Sequence, residues 1–231
     1  MKKILLSPPF SNLYTNVNCT NIIGSYTLNK RPGLHRVLTT LRPTSNGWLN
    51  NVGLRNPGIS NIRYKKNSIL SLFLFDDNDW LCILPLIKKY NFLGIEFNIS
   101  CPNVNEYYID PSIIKEASSI WNYVSIKFPH NPHKSLLYKY FDTKAIYHIS
   151  NTKKTDRGAL SGLSLVNQNL STIKEIKAFH SDIDIIGGGG IYNSKIAKQY
   201  LNAGANYLSL STSLINIFKI NYLINEILKI V

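Results

Sequence analysis

The strongest constraint on the fold of this chain is a rhythm: short apolar runs rich in β-branched and aromatic residues recur along it, separated by segments with helical spacing. The runs cover residues 68–75, 93–99, 123–128, 145–150, 183–186 and 207–210, and each is followed by Gly, Pro or polar residues, as strands buried on both faces are. Helical spacing fills 80–90, 111–121, 170–179, 194–203 and 222–230. Strand and helix in alternation imply a parallel sheet with crossover helices, either closed into a barrel or open and doubly wound.

Two details favour closure. Gly187-Gly188-Gly189-Gly190-Ile191 follows a strand directly, and the stretch from Ala203 to Thr212 supplies a helix end, a strand and a polar strand tip. Late barrel strands of this form hold phosphates at their C-terminal ends. The expectation is a single (β/α)₈ TIM-barrel domain over residues 1–231, of the α/β class. Residues 1–61, rich in Asn, Thr, Gly and Pro and without clear periodicity, are expected to form loops and a capping segment.

Composition adds limits. A chain that is 44% hydrophobic and 17% charged is a folded protein rather than a disordered one. Its net charge of +13 suits a polyanion such as nucleic acid or an anionic membrane surface, but the lysines are scattered rather than gathered into a block, which favours a compositional bias over a nucleic-acid partner. Cys19, Cys82 and Cys101 are odd in number and lack paired spacing, which argues against a zinc site or a disulfide framework and for a reducing compartment. An apolar run of only three residues, Ile4-Leu5-Leu6, precedes Pro8-Pro9, so no signal-peptide core is expected, and no apolar run approaches the ~18 residues of a membrane span. A soluble cytoplasmic protein with no metal and no membrane partner is expected.

The sharpest chemical signal is Phe97-Asn98-Ile99-Ser100-Cys101-Pro102-Asn103, just after a strand, where barrel enzymes keep reactive groups. Read alone, Cys101 is equally well a small buried hydrophobe at a strand that Pro102 stops. The segment NISCPN resembles the substrate loop of class 1 dihydroorotate dehydrogenases. That resemblance implies a general-base role for Cys101 and hydrogen bonds from Asn98 and Asn103 to a pyrimidine. The chemistry suits the residues: a thiol with an ordinary pKa of about 8.5 can be tuned toward working pH, and amides present both donor and acceptor to a uracil-like edge.

Residues 185–205 resemble the C-terminal fingerprint of the same family, which implies FMN as cofactor, Gly189 and Gly190 at its phosphate, and Ser211 and Thr212 at the next strand tip. Glycines at a strand-to-helix turn let backbone N–H groups approach a phosphate, though such a turn by itself is often only a tight connection. Further resemblances implicate Asn50, Gly53 and Leu54 in a substrate loop, read alone as a surface turn. They also implicate Lys127 as a catalytic and flavin-side cation, Asn151 and Thr152 as substrate ligands, and Gly162 as a flavin contact. Three departures stand out. Gly24 takes the place of a family lysine, Arg31-Pro32-Gly33-Leu34 lacks the family's following Pro-Arg, and Leu13-Tyr14-Thr15 replaces a small flavin loop, putting bulky side chains where they crowd the ring.

The implied activity is FMN-dependent oxidation of dihydroorotate in pyrimidine biosynthesis, with fumarate as acceptor and a homodimer as in the simplest relatives. Two alternatives stay open: action on another dihydropyrimidine or on dihydrouridine in tRNA, and a catalytically impaired flavin-binding barrel.

Overall fold

A computed structural model describes residues 1–33, 35, 39–100 and 107–231. Eight parallel strands close into a barrel. In order around it they are β1 (Ile4–Leu6), β2 (Cys19–Tyr26), β5 (Ile69–Leu72), β6 (Gly94–Asn98), β7 (Tyr123–Lys127), β8 (Ile146–Ile149), β11 (Ile185–Gly188) and β12 (Tyr207–Leu210), which pairs back onto β1. A separate antiparallel sheet joins β3 (Arg42–Thr44), β4 (Gly47–Asn50), β10 (Gly158–Gly162) and β9 (Lys153–Thr155) in that order.

Around the barrel lie α1 (Asp77–Ile87), α2 (Pro111–Ile120), α3 (Lys134–Lys139), α4 (Val166–Phe179), α5 (Ser194–Asn202) and α6 (Ile217–Leu228). Their starts are written in the sequence. Asp76, Asp110, Asn193 and Asn216 each accept a backbone N–H of the first turn, and Pro111 occupies an early position where a missing N–H costs nothing. Helix α1 buries Trp80, Ile83, Leu84 and Ile87, the 3–4 spacing of one inward stripe. Those side chains join Leu70, Leu72, Ile95 and Phe97 in the large core between strands and helices.

All six apolar runs supply barrel strands. The expectation for residues 1–61 needs correction, because Ile4–Leu6 and Cys19–Tyr26 are barrel strands and Gly47–Asn50 is a strand of the second sheet. The reason for the miss is physical: β1 is three residues long, and β2 interleaves Thr20, Asn21 and Gly24 with its apolar residues, so neither shows a period.

The barrel interior has two tiers. Leu5, Ile22, Ile69, Ile146 and Ile186 form a small apolar cluster of their own, with Met1, Leu93, Tyr123 and Tyr207 against it. Strand side chains alternate faces, so the residue two places on also points inward. Two places on from those five stand Ser7, Gly24, Ser71, His148 and Gly188. Register brings Glu96 beside Ser71, Ser125 beside Glu96, and Ser209 beside Gly188. The barrel is therefore floored with hydrocarbon and lined near its C-terminal mouth with small and polar groups.

Candidate active site

Three predicted residues meet at the ends of adjacent strands. Asn98, Lys127 and His148 are lateral neighbours in register, and Asn151 lies just past β8. Asn98 and Asn151 are buried, at 8% and 7% exposure. Asn151 donates from Nδ2 to the Ser100 carbonyl at 2.7 Å and to Ser100 Oγ at 2.9 Å, with Asn98 Oδ1 at 3.5 Å. The backbone N–H of Thr152 donates to Asn151 Oδ1 at 3.0 Å. Cys101 and Asn103 lie outside the described residues, as does Pro102; the chain reaches Ser100 within hydrogen-bond distance of Asn151 immediately before them.

Beneath this trio lies a polar chain that the sequence reading did not single out. Glu96, fully buried, accepts from Ser71 Oγ at 2.9 Å on one carboxylate oxygen and meets His148 Nδ1 at 2.6 Å on the other. His148 Nε2 is 2.7 Å from Ser150 Oγ; Ser71 Oγ is 2.8 Å from Ser25 Oγ, which accepts from Asn98 Nδ2 at 3.1 Å. Burial pushes the His148 imidazole down and outweighs the pull of the carboxylate, so the ring is neutral near pH 7. For Glu96 burial favours the neutral acid, but His148, the charge of Lys127 and the Ser71 hydroxyl together hold its carboxyl below the ordinary range. The pair is thus a hydrogen bond from neutral imidazole to carboxylate, and Lys127 balances the charge. A carboxylate in an apolar strand, Gly94-Ile95-Glu96-Phe97, was the available sequence signal: buried acids need partners.

Across the mouth, glycines bring backbone segments into contact. A Cβ on Gly190 would stand 2.6 Å from the Gly162 carbonyl, and one on Gly188 would stand 2.6 Å from the Ser209 carbonyl. Gly162, Gly189 and Gly190 all have positive φ, at 106°, 90° and 75°. Asn169 Nδ2 donates to the Gly188 carbonyl at 2.8 Å, while Tyr200 OH donates to the carbonyls of Gly188 and Gly189. His130 Nδ1 is buried without a hydrogen-bond partner among the described residues. Gly189 and Gly190 stand in the strand-to-helix turn between β11 and α5, the kind of turn whose backbone N–H groups can hold the phosphate of a cofactor such as FMN. Ser211 Oγ donates to the Pro8 carbonyl at 2.9 Å, and Thr212 opens a short 3₁₀ turn.

Asn50 sits at the end of β4 opposite Ala159 and donates to its carbonyl at 3.3 Å, so two segments over 100 residues apart in sequence form one sheet. Gly53 has positive φ with open space about it, and Leu54 is buried. The structure shows no hydrogen bond from Asn50, Gly53 or Leu54 to Asn98, Lys127 or Asn151 among the described residues.

Two departures from the family pattern resolve physically. At Gly24 a Cβ would lie 2.5 Å from the Ser71 carbonyl, so the β5 backbone leaves no room for a side chain there. The expected crowding by Leu13-Tyr14-Thr15 is corrected: Leu13 is 85% exposed, Thr15 is exposed, and Tyr14 OH donates to Asn221 of α6 at 2.5 Å, outside the barrel.

Of the other cysteines, Cys82 is exposed, and burial pushes the Cys19 thiol up to about 12, far from a working base. A surface cleft of about 440 Å³ between α1 and α2, lined by Asp77, Trp80, Asp110 and Glu116 among others, shares no residue with the mouth. Among the described residues no group of three His, Cys, Asp or Glu is arranged to hold a metal, and no helix is long and apolar enough to cross a membrane.

Comparison with known proteins finds similarity to one family. The family model for dihydroorotate dehydrogenase matches residues 138–231. The catalytic subunit of the NAD(+)-type dihydroorotate dehydrogenase B of Thermoplasma volcanium is 27% identical over 198 residues, covering 72% of this chain and 65% of the relative, so the match spans just under two thirds of that protein. The corresponding subunit of Latilactobacillus sakei is 24% identical across 88% of this chain and 80% of its own length. A quinone-type dihydroorotate dehydrogenase of Wigglesworthia glossinidia brevipalpis is 28% identical across 84% and 71%. Among solved structures, the Eimeria tenella enzyme in complex with ferulenol superposes with a TM-score of 0.71 at 16% identity, over 99% of this chain and 81% of that one, which shows the shared fold.

Proposed function

We propose that the chain is a divergent member of the dihydroorotate dehydrogenase family, to which its matches are similar, and that it oxidises dihydroorotate to orotate in pyrimidine biosynthesis, with FMN as cofactor. The observation that carries this reading is the adjacency of Asn98, Lys127 and Asn151 at neighbouring strand ends of a barrel whose strand β11 runs into the glycine turn at Gly189-Gly190. FMN, when bound, supplies the acceptor for the hydride that leaves C6 of the substrate.

The side chains divide the remaining work. Cys101 removes the C5 proton; no carboxylate, histidine or other thiol in the sequence motif offers a better-matched base. Asn98 and Asn151, with Asn50, Asn103 and Thr152, hold the polar edges of the ring, and Gly53 and Leu54 bound the substrate loop. Lys127, near enough to act electrostatically on Glu96, supplies the cation that developing negative charge requires. Gly162, Gly189, Gly190, Ser211 and Thr212 hold the cofactor. The names of the relatives divide between NAD(+) and quinone as acceptors, so these two and fumarate are the acceptors to assay; the proposal takes the enzyme to be cytoplasmic and homodimeric, as the resemblance implies.

Anaerobic mixing of FMN-loaded protein with dihydroorotate isolates this half-reaction from the acceptor. Bleaching of the visible flavin absorbance is expected, lost in Cys101→Ala and kept in Cys82→Ala. Protein that takes up FMN yet stays unbleached with dihydroorotate would remove the proposed activity, and failure to take up FMN would favour an impaired barrel.

A further inference from the structure

Donor and acceptor roles along the buried chain can be worked out one group at a time, starting from Glu96. An ionised carboxylate only accepts, so Ser71 must spend its single hydroxyl proton on Glu96 Oε1, 2.9 Å away. Ser71 then has only lone pairs for Ser25, which must donate across the 2.8 Å contact between them. Ser25 in turn has only a lone pair left for Asn98, so the Asn98 amide must present its Nδ2, as it does at 3.1 Å. Its Oδ1 is thereby turned away from Ser25, to the side of Asn151, whose Nδ2 stands at 3.5 Å, too far for a strong bond.

The same logic runs the other way. His148 must donate Nδ1–H to Glu96 Oε2 at 2.6 Å; being neutral, it offers Nε2 as an acceptor, so Ser150 donates to it at 2.7 Å. Every proton in the chain points toward one carboxylate.

We infer that Glu96, acting through Ser71 and Ser25, is a positioning residue that fixes the Asn98 amide with its oxygen toward the ligand, so that this side of the site selects a ring edge that donates an N–H. In isolation an asparagine amide is ambivalent, since rotating it by half a turn exchanges donor for acceptor. Here a flip would set Asn98 Oδ1 against a Ser25 oxygen whose proton is already committed. The ligand class follows: a cyclic amide or imide with a free N–H, against its N-alkylated counterpart. This rests on the proposed reading of the site, and names which atom of Asn98 the substrate meets.

Two measurements test it, and they fail separately. The first needs no ligand. Nitrogen-15 NMR of the histidine side chains at neutral pH, with His148 assigned by its loss in His148→Gln, should show Nδ1 protonated and Nε2 bare, the less common tautomer of free histidine. An Nε2–H or doubly protonated ring would overturn the inferred polarity.

The second titrates orotate, and orotate methylated on its ring nitrogens, into FMN-loaded protein and follows the flavin spectrum. Ser71→Ala cuts the chain and frees Ser25 to donate to Asn98, so orotate affinity should fall about tenfold, one hydrogen bond's worth, while FMN retention is unchanged. Discrimination against the methylated analogue should shrink with it, and Ser71→Thr, which keeps the hydroxyl, should restore both. Equal orotate binding by wild type and Ser71→Ala would overturn the inference. A wild-type protein that holds FMN but ignores orotate would instead overturn the functional reading, leaving the tautomer measurement to judge the chain.

Discussion

The floor and the mouth of this barrel are built from the same strands, two residues apart, yet obey opposite rules. Leu5, Ile22, Ile69, Ile146 and Ile186 meet as hydrocarbon, whereas their successors Ser7, Gly24, Ser71, His148 and Gly188 are small or polar. The floor excludes water and needs no direction; its contribution scales with volume filled. At the mouth small size leaves room above, and each hydroxyl must know which way to point. Stability and recognition are therefore separated along the barrel axis rather than between domains.

Substitutions in the two tiers should behave differently. Ile186→Ala, in the floor at 0% exposure, is expected to cost about 2–5 kcal/mol of unfolding free energy through lost burial and the cavity left behind. Urea unfolding would measure it, and the folded fraction should retain FMN as wild type does; a selective loss of FMN with unchanged stability would break the division between tiers. Ser209→Ala, one tier up, leaves the buried Ser7 hydroxyl without its 2.7 Å partner, and a cost of about 1–3 kcal/mol is expected in the same experiment.

The smallest effect is a dependence on pH. Burial holds the folded pKa of His148 below its ordinary 6.5, so the unfolded chain takes up a proton that the folded chain refuses once pH falls under that value. Stability should be fully present above about pH 6.5 and decline below it by at most about 1.4 kcal/mol per pH unit, down to the folded pKa. His130 is depressed in the same direction, also by burial first, so each must be tested alone. The slope between pH 6.5 and 5.5 should be shallower in His148→Gln than in wild type, with His130→Gln measured beside it, and a His148→Gln slope equal to that of wild type would assign the effect elsewhere.

How far the sequence foretold this depended on which interaction defines each part. Strands such as Tyr123–Lys127 were legible because burial demands a run that is mostly apolar, and helices such as Asp77–Ile87 because one inward face imposes 3–4 spacing. Ile4–Leu6 and Cys19–Tyr26 were not, being either too short or too mixed to show a period; tertiary pairing with β12 and β5 makes them strands. At the site, Asn98, Lys127 and Asn151 were found through motif resemblance, and the structure adds their adjacency. Glu96 and His148 sit 52 residues apart, and only barrel closure sets one against the other. Gly24 shows the reverse: sequence flagged a missing lysine, and the neighbouring Ser71 carbonyl is the steric reason that no side chain fits.

The pairing of Ile4–Leu6 with Tyr207–Leu210 has a consequence for biogenesis. A ribosome must synthesise more than 200 residues after the first strand before that strand's second neighbour exists. Throughout that interval the growing half-barrel carries two open sheet edges, ready to pair with other nascent chains. The last strand is in this sense a latch, and shortening the chain ahead of Tyr207 would leave that latch undone.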